Sequence, residues 1–358
     1  MKKIAILSAV NIKHMSLISL YTSYLEEQKI PYDIIYMDKY DEVEEINAKN
    51  IFRFVNPINH NWSRIKKIIR YLKFVGYAKK VINKEKYDYL IVWNDVAISM
   101  FGLYLARKWK NKYCLNIRDY NGEKKWYVYR IFDRAIKNSS FTTISSEGFR
   151  SFLPEYDYIS LYSYNSTLLK DAIPQNKKRD NNERIRISFI GNVRFFEENK
   201  KLIQAFKNDS RFELIFNGTN ADVLAEYAKE INATNVYCTG SFPISMTTSY
   251  LNKADIINNL FGDKTIGVRT LTSVRLFHAA YMNIPVLVNA GTYMQDITDK
   301  FGIGYSVESI DDNLPDKLYK WYHDVDFETI KHGCQKLLDE AEKSNELFIR
   351  KLNEFLLE

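Results

Sequence analysis

Cysteine is scarce, with three residues, Cys114, Cys238 and Cys334, in a chain of 358. They are scattered, odd in number and never spaced CxxC, which excludes a disulfide framework and a zinc site and makes a reducing cytosol the expected compartment. Proline (7) and glycine (13) are also sparse, so collagen-like and low-complexity architectures drop out. No apolar run approaches the roughly 18 residues that would read as a bilayer span. The opening MKKIAILSAVNIKHMS puts two lysines before an apolar run, but the run is short and Asn11 and Lys13 follow at once; a first β-strand is expected, not a leader peptide. GxGxxG, GxxxxGK[ST] and GxSxG are all missing, which argues against a nicotinamide dehydrogenase, a Walker-type site and a nucleophile elbow.

What the chain does have is length, apolar content and positive charge. At 358 residues it exceeds what one hydrophobic core usually organises, so two domains with a site in the cleft between them are expected. The net charge of +7 points to anionic partners, but the basic stretches match no nucleic-acid motif and no nucleic acid is expected. KIAILSAV, YDIIYMD, YDYLIVWND, YCLNIRD and FTTISS alternate with SLISLYTSYLEEQ and SMFGLYLARKWK, the alternation of a parallel sheet wrapped by helices. The polar, aperiodic NSTLLKDAIPQNKKRDNNER interrupts it, and RIRISFIGNVR then restarts the pattern as KKIAILSAVN began it. The fold class is therefore α/β, with two doubly wound domains: 1–170, a linker over 171–184, and 185–338. A terminal helix over 339–358 is expected to pack back on the first domain.

In such sheets ligands bind outside the carboxyl ends of the strands, which nominates the loops at Asn11, Asp95, Asp119, Gly191, Gly218 and Asn289. FIGNVRFFEENKKLIQAF places Gly191 and Arg194 between a strand and a helix carrying Lys200 and Lys201. Helix-terminal N–H groups beside an arginine suit a phosphate or diphosphate; a tight turn before a solvated helix is the plainer alternative. In NIRDYNG, Asp119 either orients or deprotonates a hydroxyl or pairs with Arg118 at a helix start. Ser146 and Gly148 mark a turn into a short helix ended by Pro154. DVD at 324–326 has the form of a metal-binding DxD but precedes a helix away from any strand end, and no His, Cys, Asp or Glu cluster has ligand spacing, so no metal is expected.

WSRIKKIIRYLKFVGYAKKVI, residues 62–82, has seven basic residues and no acid. Ile65, Ile68, Ile69, Leu72 and Val75 recur at helical spacing among Arg64, Lys67 and Lys73, a basic amphipathic helix. It suits either adhesion to an anionic membrane surface or an ordinary face of a basic protein. RLFHAAYMNIPVLVNAG, residues 275–291, reads as a short helix running into a buried strand, with Arg275 and His278 among apolar neighbours.

IRDY, ISSEGFRSFLP, FIGNVR with LIQAF behind it, ADIINNLFG and TSVRLFHAAYMNIPVLVNAGTYMQDITDKFGIGYSV resemble, in that order and across both domains, bacterial glycosyltransferases of the GT-B fold. Within that fold they resemble the large retaining family four, in particular members encoded with capsule and exopolysaccharide genes. The resemblance implies two Rossmann-like domains facing each other across a cleft, a nucleotide-sugar donor, UDP-linked, on the second domain, and a lipid-linked or glycan acceptor on the first. It implies a cytoplasmic protein, peripheral on the inner membrane face, needing no cofactor. The donor would meet Gly191, Asn192, Arg194, Asn217, Gly218, Thr270, Arg275 and His278, with Arg194 and Arg275 stabilising the leaving diphosphate. Asn11, His14, Asp95, Arg118 and Asp119 would meet the acceptor, with Asp119 as proton acceptor or orienting group.

Many members carry two glutamates eight residues apart at the sugar and the ribose. Alignment puts Thr270 and His278 at those positions, so a charged acceptor is lost while neutral hydrogen bonding survives. That departure keeps open a non-catalytic GT-B subunit that stabilises a partner transferase. A GT-B sugar-nucleotide epimerase fits the quoted segments less well.

Overall fold

The computed structural model describes residues 2–15, 17–58, 62–164, 169, 172–175 and 183–357. The chain divides into two compact units, Met1–Tyr162 with Lys343–Glu358, and Ser163–Glu342. Most of the expected linker 171–184 lies outside the described residues. At Gln175, the backbone N–H donates to Met282 O (2.9 Å) and Nε2 donates to Ala254 O (2.6 Å).

The first unit is built on β1 (Ile4–Ser8), β2 (Tyr32–Asp38), β3 (Asn50–Val55), β4 (Tyr89–Trp93), β5 (Tyr113–Ile117), β6 (Phe141–Ile144) and β7 (Ile159–Ser160). Its helices are α1 (Ser19–Glu27), α2 (Arg64–Glu85), α3 (Asp95–Lys108) and α4 (Trp126–Lys137). The strands pair in parallel in the order β3-β2-β1-β4-β5-β6-β7, and central Ile6 lies opposite Ile34 on one side and Ile91 on the other. IAILS and YLIVW are almost unbroken apolar runs because both faces of a parallel sheet are covered by helices. Chain direction across the sheet reverses between β1 and β4, and this switch point opens a crevice at the carboxyl ends of those strands. The connections β3→β4, β4→β5 and β5→β6 all advance the same way, so right-handed crossover sets α2, α3 and α4 side by side on one face.

The second unit repeats the plan with β8 (Ile185–Ile190), α5 (Phe196–Ala205), β9 (Phe212–Asn217), α6 (Asp222–Glu230), β10 (Val236–Thr239), α7 (Thr247–Leu251) and β11 (Ile256–Asn259). It continues through α8 (Ile266–Thr270), α9 (Val274–Tyr281), β12 (Val286–Asn289), α10 (Tyr293–Phe301), β13 (Gly304–Val307) and α11 (Leu314–Asp324). Its parallel sheet has the order β10-β9-β8-β11-β12-β13, so the switch point falls between β8 and β11. Both units are thus doubly wound and Rossmann-like.

The last helix, α12 (Phe327–Leu357), is a single run of 31 residues. Asp326 caps it by accepting from Thr329 N (3.0 Å) and Thr329 Oγ1 (2.8 Å), and this is where the second Asp of the DVD string is used. From Lys343 onward α12 belongs to the first unit. There Phe348, Leu352, Phe355 and Leu356 join the buried cluster of Ile4, Tyr21, Tyr24 and Phe141. Phe348 meets the Tyr21 ring edge-on at 4.6 Å, and Tyr24 OH donates to Asn353 Oδ1 (2.9 Å).

Candidate functional site

The second unit's switch point holds a pocket of about 510 Å³ whose wall includes Gly191, Asn192, Arg194, Gly218, Ser273, Arg275 and His278. Two glycines make its floor possible. Gly191 (φ +119°) and Gly218 (φ +140°) both lie in the left-handed region, and a Cβ on Gly218 would stand 1.9 Å from Gly191 O. Glycine at both positions lets the loops after β8 and β9 touch and be stitched by backbone bonds, Gly191 N–H to Asn217 O (2.8 Å) and Val193 N–H to Thr219 O (3.0 Å). These bonds occupy two loop amides; those of Asn192 and Arg194 have no acceptor among the described residues. Asn217 is buried, and its Oδ1 accepts from Thr239 Oγ1 (3.0 Å), so it supports the loop from behind.

Arg275 projects from the first turn of α9, which begins at the N-cap Ser273. Its guanidinium lies 3.8 Å from the Phe189 ring centroid and 4.9 Å from that of Phe261, and donates through Nη1 to Ile190 O and through Nε to Asn259 Oδ1, both at 3.3 Å. Burial and then the neighbouring Arg194 push its pKa down to about 9, which leaves it charged at neutral pH. Arg194 is exposed on the pocket rim, and among the described residues neither arginine has a carboxylate partner. A partly desolvated cation beside a second one, without a counter-ion, is a site that an anion would complete.

His278, one turn along α9, lines the same pocket. Burial first, and Arg275 second, hold its pKa down to about 4, so the ring is neutral at pH 7 and can donate through one nitrogen and accept through the other. Thr270 is not part of the wall: its hydroxyl donates back to Ile266 O (2.7 Å) at the end of α8, while the following Leu271, Thr272 and Ser273 line the pocket. Lys200 and Lys201 lie on α5 outside this wall, Lys200 over the Tyr227 ring and Lys201 paired with Glu198 at 3.2 Å. Asn289 likewise serves the framework, its Oδ1 accepting from the amides of Phe261 and Gly262, both at 2.8 Å.

The first unit's carboxyl edge collects the remaining candidates. Asn11 is fully buried and its side chain is committed: Nδ2 donates to Asp38 Oδ1 (2.7 Å) and Glu44 Oε2 (2.9 Å), and Oδ1 accepts from Lys39 N (2.8 Å). His14 packs against the Tyr40 ring at 5.4 Å. Arg118 donates to Leu161 O (3.3 Å), and burial lowers its pKa to about 10. Asp119 is exposed, with its Oδ1 accepting from Tyr120 N (2.8 Å).

Asp95 is different. It begins α3 behind the N-cap Asn94, and burial, then the charges of Asp119 and Glu123, raise its pKa to about 8. Glu123 is fully buried; burial and then Asp119 raise it to about 7, while its Oε2 accepts from Asn121 N (2.6 Å). Three carboxyl groups thus crowd one edge, with Asp95 keeping its proton at neutral pH and Glu123 keeping it in part, a setting suited to receiving or orienting hydroxyls. Glu123 lies in no quoted segment, and Phe189 and Phe261, though within FIGNVR and ADIINNLFG, come beside Arg275 only through packing. Among the described residues no group of three or more His, Cys, Asp or Glu is arranged to hold a metal ion.

No protein-family model and no curated protein matches the chain by sequence. Solved structures do match it in fold. Sucrose-phosphate synthase from Thermosynechococcus elongatus superposes with a TM-score of 0.71 at 12% identity, covering 99% of this chain and 98% of that one. HepE from Anabaena, in complex with UDP, gives 0.65 at 11% identity over 99% and 100%. The lipopolysaccharide outer core galactosyltransferase WaaB gives 0.64 at 14% identity over 99% of each chain. The chain, with its two Rossmann-like units, therefore has the GT-B fold.

Proposed function

We propose that the chain is a glycosyltransferase that takes a sugar from a nucleoside-diphosphate donor, UDP-linked, and passes it to a lipid-linked or glycan acceptor in bacterial surface polysaccharide synthesis. The observation that carries the donor assignment is the pair Arg194 and Arg275, two cations that have no carboxylate partner among the described residues, at a GT-B switch point. Charge develops on the diphosphate as the glycosidic bond breaks. Arg275, held by its bonds to Ile190 O and Asn259 Oδ1, would meet that charge already oriented, and the rim guanidinium of Arg194 with the amides of Asn192 and Arg194 would add to it. Neutral His278 offers a ribose hydroxyl one donor and one acceptor where a glutamate would offer acceptors only. HepE was solved with UDP, and the same nucleotide is the donor we assign here.

On the acceptor side, Asp119 is the exposed carboxylate that orients the attacking hydroxyl, with Asp95 and Glu123 behind it. We further propose retention of configuration, a metal-free reaction and peripheral attachment to the inner membrane face through residues 62–82. No described helix is long and apolar enough to cross a membrane. Two arginines that lack a carboxylate among the described residues weigh against a purely scaffolding subunit, which has no need of an anion site.

A thermal-shift panel of UDP, GDP, CMP and UDP-sugars tests the reading. A ligand at a hundred times its Kd stabilises the fold by about 2.7 kcal/mol. If no nucleotide raises the melting temperature, the donor assignment falls. Arg194→Ala, at an exposed position, is expected to abolish turnover and leave melting unchanged; unaltered turnover would remove Arg194 from the mechanism.

A further inference from the structure

Helix α2 has two apolar faces. Phe74, Ala78 and Ile82 are buried against the first sheet, whereas Ile65, Ile68, Ile69 and Leu72 stand 50–72% exposed. Exposed aliphatics on four positions of one helix exceed the scattered exposure of an ordinary surface. Trp62, under Lys66 at 4.0 Å and Arg70 at 5.3 Å, flanks them, and no acid occurs between Trp62 and Lys84. Two helices across, Trp126 and Tyr127 at the start of α4 are 71% and 50% exposed, with Arg130 over the Trp126 ring. Because α2, α3 and α4 share one sheet face, these features belong to one surface.

Between α2 and α3 this surface opens into a groove of about 540 Å³, within the size range of small-molecule sites. Its apolar wall is Ile68, Leu72 and Val75 from α2 with Val96 and Met100 from α3. At its margin sits Asn121, which donates to Ser99 Oγ (3.1 Å) and lies between Asp119 and Glu123 in sequence. Two cations adjoin it: Lys79 in the wall, and Lys39, whose ammonium is 5.5 Å from the ring of the wall residue Tyr71. Aliphatic walls, nearby ammonium groups and continuity with the carboxyl-lined acceptor edge fit one occupant better than any other. We propose that this groove receives the hydrocarbon chain of the lipid-linked acceptor, with its phosphate beside the lysines and its hydroxyl-bearing head at Asn121 and Asp119. The assignment rests on the transferase reading and adds where the lipid sits.

Farnesyl phosphate, one apolar chain on one phosphate, is the probe, and full-length protein is titrated with it by calorimetry beside inorganic phosphate. Binding of farnesyl phosphate but not of inorganic phosphate is expected. Met100→Trp, which fills the groove, and Leu72→Asn, at a position exposed enough to spare the fold, should each weaken binding on the order of tenfold. Ile65→Ser, outside the groove, should leave it unchanged. Melting curves and UDP affinity, measured in parallel, establish that each variant is folded. Equal affinity in wild type, Met100→Trp and Leu72→Asn, or no binding beyond inorganic phosphate, overturns the groove assignment even while UDP binds. Failure of UDP to bind sinks the transferase reading instead, whatever the groove does.

Discussion

Asp95 has the most perturbed acid on the acceptor edge, and its consequence for stability has a definite sign. The folded chain holds this proton up to a pH of about 8, whereas an unfolded aspartate loses it near its ordinary value of 3.8. Between those values the folded state binds more protons, so the contribution is complete below the lower value and is lost as pH rises through the upper. The groups that face it, Asp119 and Glu123, repel the ionised form, and Lys39 offsets them only in part. Asp95→Asn should therefore gain stability relative to wild type between pH 5 and pH 9, by roughly a few kcal/mol in urea melts. A gap that stays constant over that range would show that Asp95 does not hold the proton. Arg275 presents the opposite case: its charge survives burial, and its ring neighbours solvate it poorly until an anion arrives.

At the scale of elements, the end of α12 completes the first unit's core. Phe348 is fully buried between Tyr21 and Phe141, and Phe348→Ala should cost about 3–5 kcal/mol in the first unit. Urea denaturation followed through Trp93, which packs edge-on to Tyr21 at 5.5 Å, reads that loss; an unchanged midpoint would place Phe348 outside the core.

Much of the element plan was legible in the sequence because central strands are nearly continuous apolar runs, as in YLIVW and IAILS. Edge strand β3 was not: NIFRFV is half exposed, and half-exposed strands leave little signature. The stripe Ile65, Ile68, Ile69 and Leu72 was visible at helical spacing, but periodicity does not say which of two apolar faces meets the core, and the buried one proved to be Phe74, Ala78 and Ile82. In the pocket, Arg275 and His278 stood out as polar residues on an apolar helix. Glu123 and Phe261 did not, since only tertiary packing brings them beside Asp119 and Arg275.

For the molecule as a whole, the net charge of +7 and the acid-free stretch of α2 predict attraction to anionic surfaces. Adhesion to vesicles containing phosphatidylglycerol should fall at least about tenfold between roughly 0.1 M and 1 M salt, as the screening length drops from about 10 to 3 Å. Adhesion that ignores salt in a flotation assay would mean that the exposed aliphatics alone hold the chain.

The route of the polypeptide also imposes a schedule on its making. The first unit is interrupted after Tyr162 and resumes only at Lys343, so Phe348, Leu352 and Phe355 emerge after the entire second unit has been synthesised. At roughly 5–20 residues per second the wait is about ten to forty seconds. Through that interval the nascent sheet leaves the seat of Tyr21, Tyr24 and Phe141 uncovered, a surface open to chaperones and to neighbouring chains until the final helix closes it.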